Sequence, residues 1–221
     1  MAPGSIYLAV LFSLIVGAVQ GELVRRNQQV GGAFFAWLAL TGVFSYTAAL
    51  HDFSRMPPRL PLLFGLAFIV IYFGSYFPAP SKLIESPGLV WLIGLQVFRV
   101  AVEIFLYLGH RVGFVPIQMT IEGRNFDVIT GLTALPMAWL VAKKKAPRWL
   151  VYAWNTLGLG LLLNVVVIAV LSMPTPLRRF SNEPANTFVT YFPYVWLPLY
   201  LVQVAWMSHL LIFRAAKNIT G

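Results

Sequence analysis

Cysteine is absent from this 221-residue chain, which removes disulfides, thiolate nucleophiles, iron–sulfur clusters and cysteine-ligated zinc from consideration. Charge is nearly as scarce: Asp, Glu, Lys and Arg make up 10% of the residues, against about 25% in an ordinary soluble domain. Also missing are a Walker loop, a GxSxG nucleophile motif, a dinucleotide fingerprint and an HExxH pair, so neither a cofactor nor a metal is expected. What remains is 59% hydrophobic, with a mean hydropathy of +0.77. That is the composition of a membrane protein. The formal net charge of +9 does not point to nucleic acid, because the basic residues sit in short gaps between apolar runs rather than on one solvated face.

A hydrocarbon layer about 30 Å thick needs ~20 apolar residues in a helix. Seven runs approach that length, at about 4–21, 30–50, 60–78, 88–109, 126–142, 149–172 and 187–213. The gaps carry turn and breaker signals such as Pro57-Pro58, Pro78-Ala79-Pro80, Ala146-Pro147 and Pro174-Thr175-Pro176. The runs are too long and too little alternating for barrel strands, so the expected fold is an all-α polytopic membrane protein, a single seven-transmembrane-helix bundle. No basic residue precedes the first run and Arg25-Arg26 follow it, which predicts a retained first span rather than a cleaved signal peptide. Counting Lys and Arg in alternate gaps places 9 on one side (Arg25, Arg26, Lys82, Lys143, Lys144, Lys145, Arg148, Arg214, Lys217) and 6 on the other (Arg55, Arg59, Arg111, Arg124, Arg178, Arg179). The bias predicts an N-terminus outside and a C-terminus in the cytoplasm.

Within the fourth run stand Gln96, Arg99 and Glu103. Each charge at the centre of a membrane helix costs roughly 2.5–3.5 kcal/mol, so the two mark an interior site. Positions i, i+4 and about i+11 share one helical stripe, which adds His110. An Arg-before-Glu order is the poorer orientation for an intrahelical pair, so each side chain is expected to find a partner on another helix, with Asn155, Asn164 and Gln203 as candidates. The stretch from Val112 to Ile121 is too apolar for a free loop and too short to span; it is expected to tuck into the interface or re-enter the bundle. It delivers Glu122, Arg124, Asn125 and Asp127 to the start of the fifth span. Asn125 suits an N-cap there and Asp127 a first turn, or both join the site. The candidate ligand-binding set is therefore Arg99, Glu103, His110, Glu122, Arg124, Asn125, Asp127 and Asn155. His51 and Asp52 share the same predicted side, but with Glu103 and His110 they lack a recognisable metal spacing. Gly158-Leu159-Gly160 in the sixth run and Gly31-Gly32-Ala33 in the second are expected to be close-packing faces between helices.

The segments Phe98-Arg99-Val100-Ala101-Val102-Glu103, Met119 to Asp127 and Trp154 to Gly160 resemble those of a group of uncharacterised small bacterial multi-pass membrane proteins, over roughly residues 90–210. The resemblance implies a bacterial inner membrane and assigns no activity. Three functional classes follow from the residues alone. The first is binding, with or without transport, of a small polar or anionic solute at the Arg99/Glu103 site. The second is a membrane-embedded enzyme acting on a lipid or isoprenoid; the third is a sensor or partner subunit without turnover. The bilayer is the one partner the composition dictates; oligomeric state is not encoded in any feature above.

Overall fold

The computed structural model describes residues 3–54, 57–85 and 87–219. Arg55, one of the six basic residues counted on the second side, lies outside them, as do Met56 and Ser86. Among the described residues the chain is helical, with no β-strand. The α-helices are α1 (Pro3–Arg26), α2 (Gln28–Ser45), α3 (Arg59–Gly74), α4 (Pro78–Ser81), α5 (Gly88–Leu95), α6 (Phe98–Arg111), α7 (Val128–Ala142), α8 (Arg148–Leu171) and α9 (Val202–Ala215). Four stretches are long and apolar enough to cross a membrane: Ile6–Arg26, Gly88–Arg111, Arg148–Leu171 and Leu197–Asn218. A fifth would be α3 together with Pro78–Ile84, bent by 70° where Phe77 leads into Pro78-Ala79-Pro80.

The outside of this bundle is greasy. Leu62, Leu66, Ile69, Val70 and Phe73 of α3 and Leu132, Leu135 and Trp139 of α7 are all exposed. Contiguous apolar surface of that extent belongs against lipid rather than water. The centre is α9, whose Leu197–Asn218 stretch is 72% buried against 33% for α8; it packs on α3, α5 and α8.

Helix joins follow from local chemistry. Asn27 alone separates α1 from α2, its Oδ1 accepting the Gln29 and Val30 backbone N–H groups as an N-cap. Gly31 makes that hairpin close: a Cβ there would stand 2.6 Å from the Val24 Cα. Between α5 and α6 the regular ladder is interrupted at Gln96-Val97, where Arg99 N–H and Val100 N–H bond back to the Gln96 and Val97 carbonyls three residues earlier. This tighter turn sits directly before Arg99.

The run expected to be helical over 187–213 becomes a helix only at Leu197. Thr187 to Trp196 form a 3-10 turn (Phe188–Thr190) and further turns, because Pro193 biases Phe192 out of the α region and a second proline, Pro198, suits only a first helical turn. Helix α9 is entered through a π-helical turn, Leu197–Leu201. The Val112–Ile121 stretch does fold inward: Val115, Met119 and Thr120 are buried. The two tucked segments are pinned by an aromatic cluster. Tyr194 stacks on Phe105 and Phe114, while Phe188 meets both Phe114 and Tyr194 edge-on. They are also tied by hydrogen bonds from Gln118 Nε2 to Ser172 Oγ (3.0 Å) and from Asn186 Nδ2 to the Ala169 carbonyl (3.0 Å).

Candidate functional site

Arg99 is the twelfth residue of the 24-residue helical stretch Gly88–Arg111, so its side chain starts from the middle of that stretch. Its partner is not Glu103. The Arg99 Nε lies 3.2 Å from Asp127 Oδ2, the two side chains being 2% and 13% exposed. Arg99 Nη1 donates to the Gly158 carbonyl at 3.3 Å. Asp127 immediately precedes α7, which at 15 residues is only about 22 Å long. The inward fold of 112–127 thus lets α7 begin inside the bundle, with the carboxylate of Asp127 beside its positive N-terminal end. Gly131 permits the approach, since a Cβ there would meet the Val100 backbone N at 2.9 Å and the Arg99 Cβ at 3.2 Å.

Glu103 has a different task. Its Oε1 accepts the Ile121 N–H at 2.6 Å and its Oε2 accepts Asn125 Nδ2–H at 2.9 Å; the same Asn125 amide also donates to the Met119 carbonyl. Glu103 therefore anchors the re-entrant segment, and Asn125 is the clasp. Asn125 Oδ1 accepts the Asp127 N–H at 3.1 Å, an Asx turn just before α7 rather than a cap of it; Asp127 is the N-cap residue and makes no side-chain cap bond.

The candidate partners on other helices are engaged elsewhere. Asn155 Nδ2 donates to the His209 carbonyl (3.0 Å), and its Oδ1 lies 2.7 Å from His209 Nδ1. With that amide oxygen as acceptor, the neutral imidazole carries its proton on Nδ1 and presents Nε2 as an acceptor. Asn164 Nδ2 bonds the Arg124 carbonyl, and Gln203 Nε2 reaches the Pro198 carbonyl at 3.4 Å. His110 Nδ1 pairs with the Val115 carbonyl at 3.0 Å, closing the turn after α6; Glu122 and Arg124 are exposed, the latter over the Phe180 ring. His51 bonds Thr190 and stacks on Tyr191, and no three His, Asp or Glu side chains converge as metal ligands among the described residues.

Of the eight candidate residues, Arg99, Asn125 and Asp127 line one common cleft; Glu103 supports its wall from behind; Asn155 lies deeper; His110, Glu122 and Arg124 stand apart. The cleft encloses about 780 Å³ of empty space, its open side included, between α3, α8 and the π turn leading into α9, with α6 behind. Of its 23 lining residues, only Arg99, Asn125, Asp127 and Asn186 are polar. Several buried polar atoms here have no hydrogen-bond partner: Arg99 Nη2 and Asp127 Oδ1 on the ion pair, and Thr130 Oγ1 and His209 Nε2 near Gly158. Thr130 and His209 approach Gly158 so closely that a Cβ would stand 2.8 Å and 2.9 Å from them. His209, Thr130 and Asn186 escaped the sequence reading. His209 carried a usable signal, an ionisable residue inside an apolar run, the same one that singled out Arg99.

Residues 57–216 match the family model described as "Domain of unknown function (DUF8737)". No curated protein and no solved structure matches the chain.

Proposed function

We propose that this chain, which belongs to the DUF8737 family, is an integral membrane protein that binds a neutral amphiphile, with the polar head at Arg99–Asp127 and the hydrocarbon tail in the cleft between α3, α8 and α9. The observation that carries this reading is the cleft itself, 19 apolar residues and one self-neutralised ion pair. A small polar solute would find few partners along such walls. An amphiphile covers them, its tail running from the enclosed part of the cleft out along the open side. Because Arg99 and Asp127 already cancel, a charged head would bring an uncompensated charge into a low-dielectric site. A head that accepts from Arg99 Nη2 and donates to Asp127 Oδ1, a hydroxyl, an amide or a protonated carboxyl, satisfies both unpaired atoms at once. No Ser, Thr, Lys or His lines the cleft among the described residues, so the reading assigns binding rather than nucleophilic turnover.

In this reading all seven apolar segments cross the membrane, with the N-terminus outside and the C-terminus in the cytoplasm, and the resemblance noted above places the protein in a bacterial inner membrane. Two groupings support alternating passes. Arg26, Asn27, Ala79, Glu85, Ser81 and Arg214 gather at one end through direct hydrogen bonds. His51, Thr190, Gln118, Ser172, Asn186 and Ala169 are tied together in the tucked segments toward the other. Cysteines placed at Lys144 and at Asn182 should be labelled from opposite sides, Lys144 from the cytoplasm; same-side labelling would remove a span.

The ligand test compares farnesol, farnesyl phosphate and glycerol on purified full-length protein by thermal shift and native mass spectrometry. Farnesol should bind and stabilise, and Val166→Trp, which fills the cleft, should abolish the effect. Stronger binding of farnesyl phosphate would overturn the neutral-head assignment, and glycerol binding as well as farnesol would overturn the amphiphile.

A further inference from the structure

A second groove runs along the opposite flank, between α1 and the α5–α6 stretch, with Leu135 of α7 at its far wall. Leu14 and Ala18 of α1 face Gly94, Ala101 and Ile104 across it, and its polar end is closed by Glu22 and Trp91. Its lining is otherwise apolar. At that same end lies a separate crevice formed by Arg26, Asn27, Gln28, Gln29, Lys82 and Glu85. The two are joined through one contact: the Arg26 guanidinium, which lines the crevice, lies 6.0 Å from the ring centroid of Trp91, which lines the groove.

The charges at this junction are unequal. Glu22 is already matched, its Oε2 2.7 Å from Arg25 Nη2 and 3.4 Å from Trp91 Nε1. Within the crevice itself Arg26 and Lys82 oppose one carboxylate, Glu85, leaving one positive charge in excess. Arg26 is held in place: its Nη2 donates to the Glu85 carbonyl at 2.8 Å while the guanidinium sits over Trp91. Lys82 is exposed. Tryptophan marks the headgroup level of a bilayer, and basic residues beside a helix end attract anionic headgroups there.

We infer that the crevice and the groove together form a binding site for one anionic phospholipid, a phosphodiester monoanion seated at Arg26 and Lys82 with an acyl chain lying along Leu14, Ala18, Gly94 and Ile104. The apolar groove has an open side and meets a site of single positive excess at the Arg26–Trp91 contact, so one molecule can place its head in the crevice and its tail in the groove. This site is independent of the Arg99 cleft and rests only on the chain's lying in a membrane.

Each juxtamembrane basic residue is worth about fivefold in affinity for an anionic lipid, so one net positive charge predicts about a fivefold preference for phosphatidylglycerol over phosphatidylcholine. Native mass spectrometry of the full chain, released from detergent containing equimolar dioleoyl forms of both lipids, reads that ratio. Lys82→Gln should bring it to about parity, and Glu85→Gln should raise it to roughly twenty-fivefold, a gain that general destabilisation cannot produce. Ala18→Trp, which fills the groove, should reduce retention of phosphatidylglycerol, whereas Val166→Trp in the other cleft should not. Equal retention of the two lipids by the unaltered protein, an unchanged ratio in Glu85→Gln, or full retention in Ala18→Trp would overturn the assignment. Complete displacement by soluble glycerol 3-phosphate would also overturn it, since the site would then be one for a free anion.

Discussion

Asp127→Asn keeps the size of the side chain and removes its charge, leaving Arg99 buried without a counter-ion. Breaking a buried pair by removing one partner costs about 3–5 kcal/mol. Asp127 retains some exposure, 13% against 2% for Arg99, which favours the lower end, about 3 kcal/mol. For a chain of this size each kcal/mol moves the unfolding midpoint by roughly 2–4 °C, so the fall should be roughly 6–12 °C. Arg99→Met combined with Asp127→Leu removes both charges and should recover most of the loss, because well-packed apolar residues replace a buried pair at little or no cost. Arg99→Met combined with Glu103→Leu should not. It leaves Asp127 without Arg99 and strips the acceptors from Ile121 N–H and Asn125 Nδ2, which Glu103 now satisfies. Thermal unfolding in detergent, followed by tryptophan fluorescence, ranks the three variants against the unaltered protein. Recovery by the Arg99/Glu103 double variant and not by the Arg99/Asp127 one would refute the assignment of partners. The Arg99→Met/Asp127→Leu protein should stay folded and lose farnesol binding, which separates the role of the pair in stability from its role in the site.

Three further outcomes are expected. Gly131→Ala should cost about 1–3 kcal/mol, read by the same assay, because the new methyl meets both the Val100 Cγ2 and the α6 backbone at Val100 N, and the backbone cannot swing aside. Lys144→Gly should stabilise by about 1 kcal/mol, since Lys144 ends α7 at φ 53°, a left-handed conformation that glycine adopts without the Cβ penalty; a loss of stability would show that the lysine side chain matters more than its backbone. Glu183 is held below the ordinary carboxylate range, first by its hydrogen bond from Arg178 and then by the Ala185 N–H. A depressed folded-state pKa means the contact is fully formed above the unfolded value near 4.3 and is lost as pH falls through the lower folded value. A nitroxide at Ser181 should therefore gain mobility only when pH falls below the ordinary carboxylate range, and Arg178→Gln should make it mobile at neutral pH as well.

How much of this was legible from composition and order alone can be read off individual residues. All-helical architecture was, because apolar runs of near-span length leave the backbone no other way to satisfy itself in lipid. The burial of Arg99 was legible too, since a charge inside an apolar run is expected to turn to the interior, and so was the inward fold of 112–121, whose apolar content forbids a free loop. The close approach at Gly31 and at Gly158 followed from side-chain size, but their neighbours Gly32 and Gly160 face open space, because only one side of each helix meets a partner. The register of the last run was not: periodicity and hydropathy extend it back to Thr187, while Pro193 and Pro198 delay the helix to Leu197.

Partnerships belong to the tertiary structure. Arg99 and Glu103 lie four residues apart on one helix, and nothing in their spacing says that the first reaches Asp127 while the second holds Ile121 and Asn125. That division depends on where α7 begins, hence on how a non-helical segment packs against Phe105, Phe188 and Tyr194, contacts between residues up to about 90 positions apart along the chain. The cleft is decided the same way. Its walls come from α3, α6, α8 and α9, each apolar by its own sequence, and only their packing leaves space between them with Arg99 and Asp127 exposed to it. Local composition determines which residues leave water; the mutual placement of helices determines which of the buried polar ones face each other and which face a ligand.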